Sequence, residues 1–388
     1  MENLYCGRGQ DKDNKKLIDF LDEVFFKDWD SEENFFEMLP KIYKDEYRPA
    51  FNNFVIQDKN GDFRSAIGAF YNQFSVGGED ISACCIGNVA VGKEHRSKGY
   101  MKKLMELCLN DMIKNNTAIA YLGGQRQRYA YFGFESAGTR YIFSENPQTV
   151  KHSFNNAKSS LSCEKLSPDD KESISKILEI NNSLPIHAIR TPENCFDVLC
   201  SWTCTPYVLK KDGEFAGYFT LTAEQNKSVQ ECGVAKLEYL QDLAICALET
   251  ANVQDLNFHA GEFEKEKIKF FTENFENISA TSAEAVLIFD FEKIIRSYLK
   301  AKTQYTELCD GEMTVLIHGV NGDEKLRISV KNNVSSVEKS DGKADFELSH
   351  LEATRAFFSL FFADRADFPP CIKQWLPLPI YFNLSDTM

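Results

Sequence analysis

The segment from residue 81 to residue 114 constrains the fold more than any other part of the sequence. Residues 81–91 are small and apolar and predict a strand, whereas residues 98–114 have the apolar spacing of an amphipathic helix. A short basic turn with Arg96 and Gly99 joins the two. Free N–H groups at a helix start attract anions, so the turn predicts a phosphate site at which Arg96 adds charge and Gly99 lets the backbone approach. An Arg-x-x-Gly turn alone is common in proteins, so the flanking sequence must decide whether this turn is a phosphate site.

The flanking sequence indicates a mixed α/β (α+β) fold. Residues 14–26 carry apolar side chains at helical spacing, and residues 30–40 predict a second helix. Residues 53–57 and 64–74 flank an Asn-Gly turn and predict a β-hairpin. A further strand is predicted at residues 118–122.

The order of predicted elements repeats loosely after a polar linker at residues 151–162. Helices are again followed by a hairpin, a helix and a strand, which indicates a diverged internal duplication. A third block begins near residue 289. The predicted domains are residues 1–150, 151–288 and 289–388.

Charge and hydropathy limit the classes of partner. The chain of 388 residues has a net charge of −14 and disperses its lysines and arginines, which argues against nucleic acid as a partner. An acidic protein attracts cationic partners such as polyamines, amino sugars and basic peptides. No stretch approaches the roughly 20 apolar residues of a membrane helix, and the first residues do not form a signal peptide. We therefore expect a cytoplasmic protein with no membrane partner.

Twelve scattered cysteines agree with a reducing compartment. The one cluster that invites a metal interpretation is Cys195, Cys200 and Cys204, but zinc sites usually show paired Cys-x2-Cys or His-x3-His spacing. We expect these thiols to pack in a core, and no metal is predicted.

Two motifs together resemble the GCN5-related N-acetyltransferase (GNAT) superfamily. The strand–Arg-x-x-Gly–helix unit resembles its acetyl-CoA-binding motif, and residues 129–134, Tyr-Ala-Tyr-Phe-Gly-Phe, resemble its Tyr-x-x-x-Gly-Phe segment. Over essentially its full length the chain resembles the enhanced-intracellular-survival (Eis) acetyltransferases of that superfamily. The resemblance implies tandem GNAT folds, the second degenerate, followed by a sterol-carrier-like α/β domain whose tail reaches the first domain's active site.

The resemblance also implies an N-acetyltransferase that uses acetyl-CoA and assigns roles to individual residues. Backbone groups of Val89 and Val91 on a bulged strand would hold the pantetheine arm and polarise the thioester carbonyl. Tyr129 would protonate the departing thiolate and the terminal carboxylate of Met388 would act as base, while Tyr131, the rival acid, is expected to pack. The residues implied along the pyrophosphate are Arg96, Ser97, Lys98, Gly99 and Met101. The last of these departs from the superfamily's usual Gly or Ala.

The acceptor site is expected between the first two helices, as in this superfamily. Phe26, Asp28 and Trp29 combine aromatic and acidic side chains there, which suits a cationic amine such as an aminoglycoside-like sugar, a polyamine or a lysine. The second domain has no Arg-x-x-Gly turn and is predicted to bind no CoA. Relatives form hexamers, so a homo-oligomer is expected. The alternative is a non-catalytic scaffold or lipid-binding protein on a relic acetyltransferase fold.

Overall fold

The computed structural model describes residues 4–27, 34–223, 228–253, 255–360, 365 and 367–388. The first part contains β1 (Tyr5–Arg8), α1 (Asn14–Phe25), α2 (Phe35–Met38), α3 (Pro40–Tyr43), β2 (Asn53–Gln57), β3 (Phe63–Val76), β4 (Glu79–Val91), α4 (Tyr100–Lys114), β5 (Ile119–Leu122), α5 (Arg126–Ala130), β6 (Glu135–Ala137), β7 (Arg140–Glu145) and α6 (Pro147–Ser153).

The middle part contains β8 (Ser162–Lys165), α7 (Lys171–Ser183), β9 (Ile186–Ala188), α8 (Pro192–Cys200), β10 (Cys204–Lys211), β11 (Glu214–Thr222), β12 (Ser228–Val234), α9 (Leu240–Ala251), β13 (Leu256–Gly261), α10 (Lys265–Asn274), β14 (Asn277–Thr281) and β15 (Glu284–Ile288). The last part contains α11 (Phe291–Thr303), β16 (Gly311–Gly319), β17 (Gly322–Lys331), β18 (Val334–Lys339), β19 (Phe346–Ser349), α12 (His350–Phe358) and α13 (Pro370–Trp375).

The first sheet has the strand order β1-β2-β3-β4-β5-β15-β6, and β9 adds to β3. Neighbouring strands are antiparallel except β4 and β5, which are parallel. The predicted Asn-Gly hairpin is confirmed as β2 and β3, and the predicted helix after the basic turn is confirmed as α4. The sequence therefore placed the central elements of this sheet correctly.

The second sheet repeats this pairing pattern. Its order is β14-β7-β13-β12-β11-β10-β8, and read from β8 it has three antiparallel pairs, one parallel pair and two more antiparallel pairs, as the first sheet has from β1. The internal duplication indicated by the sequence is thus visible in strand pairing. The sixth strands are exchanged, because β15 from the middle part lies in the first sheet and β7 from the first part lies in the second.

The exchange bears on the predicted domain boundaries. The strand β7 ends before residue 150 and belongs to the second sheet, while β15 ends at Ile288 and belongs to the first. The sheets are therefore not contained within the sequence blocks 1–150 and 151–288.

The third sheet, of order β18-β17-β16-β19, packs with α11 to α13 in one hydrophobic core with the first sheet. Phe357 and Phe358 of α12 are fully buried in that core. The tail then crosses back, and the backbone N–H of Leu378 donates to the Phe357 carbonyl at 2.7 Å. Lys302 of α11 donates to the carbonyl of Pro377 at 2.7 Å. These contacts lead the chain end away from the third sheet and toward the first.

Two further findings concern the described part of the chain. None of its helices is long and apolar enough to cross a membrane, and it gathers no group of three or more His, Cys, Asp or Glu side chains that could hold a metal ion. Burial raises the pKa of the Cys195, Cys200 and Cys204 thiols to about 12, as expected of cysteines that pack rather than react.

Candidate active site

The first sheet opens between its two parallel strands. β4 pairs with β5 only from Ala83 to Cys85, whereas β4 continues to Val91. On the other side, its register with β3 shifts between Ala66 and Gly68, which leaves one extra residue on β4. A β-bulge leaves backbone groups of the strand without a ladder partner. Among the described residues, the backbone of β4 from Ile86 to Val91 therefore has no partner strand on the side of β5.

Asn88 holds this bulge in shape. Its backbone has a φ of 39°, in the left-handed region that asparagine tolerates better than most residues. Its side-chain oxygen accepts the Tyr43 hydroxyl at 3.1 Å, and its amide donates to the Asn53 side chain at 2.7 Å. Burial raises the pKa of Tyr43, so that its hydroxyl keeps the proton that it donates. Sequence analysis missed Asn88 and both partners, which are distant in the chain.

The basic turn folds into an open helix start. Gly99 precedes α4 with a φ of 75°, and no side chain caps the first turn of the helix. A β-carbon at Gly99 would meet nothing within 4 Å, so glycine is favoured there by the positive φ and not by a lack of space. Ser97 also lies in the left-handed region, at a φ of 64°. The N–H groups that begin α4 are therefore available to an anion.

A cleft of about 720 Å³ joins the bulge to this turn. Six predicted cofactor residues line it, namely Val89, Val91, Arg96, Ser97, Gly99 and Met101. Lys98 is not among the lining residues and is exposed. Two cations that sequence analysis did not select, Lys102 and Arg128, also line the cleft. Its wall is thus positively charged on the side of the turn although the protein is acidic.

Tyr129 and Tyr131 occupy opposite environments. Tyr129 of α5 is 7% exposed and packs edge-on against Phe134 with ring centroids 6.4 Å apart. Burial raises the pKa of Tyr129, and the adjacent Arg128, whose side chain lines the cleft, offsets part of that rise. Tyr131 is 67% exposed and lines the cleft, so the expectation that it packs is wrong. Tyr131 lies one residue past the end of α5. Nζ of Lys102 lies over its ring, 5.3 Å from the ring centroid.

The helix that carries Tyr129 is fixed by a buried carboxylate. Glu135 accepts two hydrogen bonds from the Arg126 guanidinium, at 2.7 and 2.9 Å. Arg355 of α12 approaches the same carboxylate at 3.3 Å. The two arginines hold the pKa of Glu135 below its ordinary value despite burial. The third part of the chain thereby helps to orient α5.

The chain end lies beside the bulge. A β-carbon placed at Gly87 would be 3.8 Å from Cβ of Met388. Lys41 of α3 donates to the Ser385 carbonyl at 2.5 Å and to the Thr387 carbonyl at 2.6 Å, and Trp202 donates to the latter at 3.1 Å. Burial lowers the pKa of Lys41 to about 8. Neither anchor was predicted, since each is distant in sequence from the tail.

A small apolar cavity lies between the chain end and the first helices. It measures about 230 Å³ and is lined by Phe25, Phe26, Phe35, Met38, Leu39, Ile42, Tyr43, Phe70, Gly87, Asn88, Trp202 and Met388. Phe25 also lines the larger cleft, so the two spaces adjoin. Phe26 therefore lies where the acceptor was expected, whereas the predicted Asp28 and Trp29 lie outside the described residues.

Residues 8–137 match the family described as an acetyltransferase (GNAT) domain. No curated protein sequence matches the chain. Similar solved structures include a conserved protein of unknown function from Enterococcus faecalis V583, described as a probable N-acyltransferase, with 14% identity, 98% of this chain and 97% of that chain covered, and a TM-score of 0.68.

Two others extend over the whole chain. A GCN5-related N-acetyltransferase from Anabaena variabilis has 14% identity, covers 100% of this chain and 99% of its own, and has a TM-score of 0.66. Eis1 from Mycobacterium abscessus has 13% identity, covers 100% of both chains and has a TM-score of 0.63. These likenesses establish the fold of the whole chain, and residues 8–137 match the acetyltransferase (GNAT) domain family.

Proposed function

We propose that this protein transfers the acetyl group of acetyl-CoA to a primary amine, with Tyr129 as general acid and the terminal carboxylate of Met388 as general base. The observation that carries the proposal is the position of Met388 beside Gly87, at the bulge of β4. A chain end brought there from another part of the molecule, and held by buried contacts, supports a role at the reaction centre.

The cleft suits acetyl-CoA in its charge and shape. The uncapped start of α4 and the side chain of Arg96 would hold the pyrophosphate, and backbone groups near Val89 and Val91 would hold the pantetheine arm. Acetyl-CoA supplies an activated thioester. Lys102 and Arg128, which also line the cleft, add positive charge for its phosphates.

Two groups of the chain carry out the proton transfers, the Met388 carboxylate as base and Tyr129 as acid. The Met388 carboxylate takes a proton from the attacking amine as the nitrogen–carbon bond forms and the carbon–sulfur bond breaks. Tyr129 gives its phenolic proton to the departing thiolate. Arg128 lies next to that hydroxyl and stabilises the phenolate left behind.

The apolar cavity supports a narrower acceptor class among the cationic amines. The polar side chains on its described wall are already engaged, since Tyr43 donates to Asn88, Asn88 donates to Asn53 and Trp202 donates to the Thr387 carbonyl. A hydroxyl buried without a partner costs about 1–3 kcal/mol. The cavity therefore favours an amine on a hydrocarbon arm, such as a lysine side chain, over a polyhydroxylated amino sugar.

The test is release of free thiol from acetyl-CoA with a panel of amines, namely lysine peptides, polyamines and aminoglycosides. We expect turnover with at least one class and the highest kcat/KM with lysine-like amines. Turnover that is highest with aminoglycosides would contradict the narrower class. No turnover, together with no binding of acetyl-CoA in calorimetry, would leave the scaffold alternative.

The basic turn offers a matched pair of variants. Arg96→Ala removes a cation from the cleft wall, and we expect the KM for acetyl-CoA to rise about 10-fold to 100-fold, because a charge-assisted hydrogen bond contributes about 1.5–3 kcal/mol. Lys98→Ala removes an exposed cation from the same turn that does not line the cleft, and we expect a change below about threefold. Equal effects in steady-state kinetics would show that only the turn's net charge matters.

A further inference from the structure

A buried arginine joins the middle part of the chain to the tail. Arg190 lies between β9 and α8, and its side chain is 1% exposed. It donates to both oxygens of Glu231 on β12, at 2.7 and 2.8 Å, and to both oxygens of Asp386 in the tail, at 2.9 and 2.8 Å. The two carboxylate side chains are 3% and 6% exposed. One guanidinium thus makes two bidentate salt bridges in the protein interior.

This cluster lies at the meeting point of both large sheets. β9 pairs with β3 of the first sheet, with Ala188 opposite Phe74, while β12 belongs to the second sheet. Tyr218 of β11 donates to Glu231 at 2.7 Å and fixes the far side of the cluster. The Glu231 carboxylate therefore accepts hydrogen bonds from Arg190 and from Tyr218.

The cluster is close to the chain end. Asp386 is two residues from Met388, and two extended residues span at most about 7 Å. Lys41 and Trp202 hold the carbonyls on either side of Asp386, so the last residues are fixed by side chain and backbone together. Buried ion pairs contribute little to stability compared with apolar packing, whereas their bidentate geometry fixes orientation.

We propose that Arg190 is a positioning residue of the acetyltransferase site, which holds Asp386 so that the Met388 carboxylate stands at the β4 bulge. This inference rests on the proposed role of that carboxylate as base. It gives the middle part of the chain, which carries no predicted CoA site, a direct part in catalysis by the first domain.

Two carboxamide variants test the proposal against a purely structural role. Asp386→Asn weakens the bond between Arg190 and the tail, while Arg190 keeps its pairing with Glu231. Glu231→Gln removes the other carboxylate from the same guanidinium and leaves the tail salt bridge in place. Both changes are isosteric and each removes one buried charge, so their effects on stability should be similar.

We expect Asp386→Asn to lower kcat by about 10-fold to 100-fold with the KM for acetyl-CoA unchanged, since a misplacement of about 1 Å can cost that much. Glu231→Gln should lower kcat far less. Asp386→Glu, which restores the charge, should recover part of the lost rate. Equal losses of kcat in the two carboxamide variants, in proportion to their melting temperatures, would overturn the proposal.

Digestion by a carboxypeptidase gives a readout that does not depend on activity. The native tail should resist release of Met388, Asp386→Asn should be trimmed at least 10-fold faster, and Glu231→Gln should stay close to wild type. Equal trimming of the two variants would contradict the proposal that Arg190 holds the tail through Asp386. If removal of Met388 leaves kcat unchanged while Asp386→Asn is trimmed faster, Arg190 does hold the tail, but the Met388 carboxylate is not the base.

Discussion

Replacement of Tyr129 by phenylalanine should lower kcat for acetyl transfer by about 10²- to 10⁴-fold, because a positioned general acid contributes that much to a rate. The KM for acetyl-CoA should stay within about threefold, since the groups proposed to hold it, Arg96 and the backbone of Val89 and Val91, are unchanged. The measurement is steady-state thiol release at saturating amine. Tyr129 and its replacement have nearly the same shape, so the core around Phe134 is retained.

Tyr131→Phe is the matched control. Tyr131 lies two residues away, is exposed and lines the cleft, so it is the rival donor of the proton. We expect its replacement to change kcat less than about fivefold. A large loss with Tyr131→Phe and none with Tyr129→Phe would transfer the acid role to Tyr131.

The pH profile of kcat adds a second check on Tyr129. Burial raises the pKa of Tyr129 above its ordinary value near 10, and an acid is active only below its pKa. Loss of the general acid should therefore set in only above about pH 10, while the amine and its base set the rise at lower pH. A fall in wild-type kcat between pH 7 and 9 would contradict Tyr129 as the acid.

Displacement of the terminal carboxylate should have an effect of similar size. A single glycine added after Met388 keeps every described contact of Lys41, Trp202 and Arg190 with the tail but moves the carboxylate by about 3.5 Å. We expect kcat to fall about 10²-fold or more, because the base leaves hydrogen-bonding distance of the amine. Thiol release with the extended protein is the measurement.

The control for this change is Met388→Ala, which alters the side chain and leaves the carboxylate in place. It should cost much less activity than the added glycine, with a modest rise in the KM for the amine because Met388 lines the apolar cavity. If the extended protein turns over at the wild-type rate, the carboxylate is not the base.

The parts of this site that sequence could predict are those built from neighbouring residues. The strand, basic turn and α4 are contiguous, and the αL conformation of Gly99 follows from a turn that must start a helix at once. The bulge of β4 was expected only from resemblance to a superfamily, because nothing in the alternation of residues near Asn88 marks it.

The remaining parts depend on pairs that are far apart in the chain. Lys41 and Thr387 are 346 residues apart, and Arg190 and Asp386 are 196 apart. No local pattern selects such partners, since Lys41, Arg190 and Asp386 each resemble ordinary surface charges in the sequence and Thr387 accepts through its backbone carbonyl. Tyr131 was misjudged for a related reason, because an aromatic among aromatics looks buried until the end of α5 directs it outward.

The exchange of strands between the two large sheets has a consequence for synthesis on the ribosome. The first sheet lacks its sixth strand until residue 288 has left the exit tunnel, although its other neighbours in the main path end at residue 137. The first sheet therefore stays incomplete, with the edge of β5 that later pairs with β15 unpaired, while about 150 further residues are synthesised. A ribosome that stalls within this window would expose that edge to another chain, so the rate of elongation between residues 137 and 288 becomes a determinant of yield.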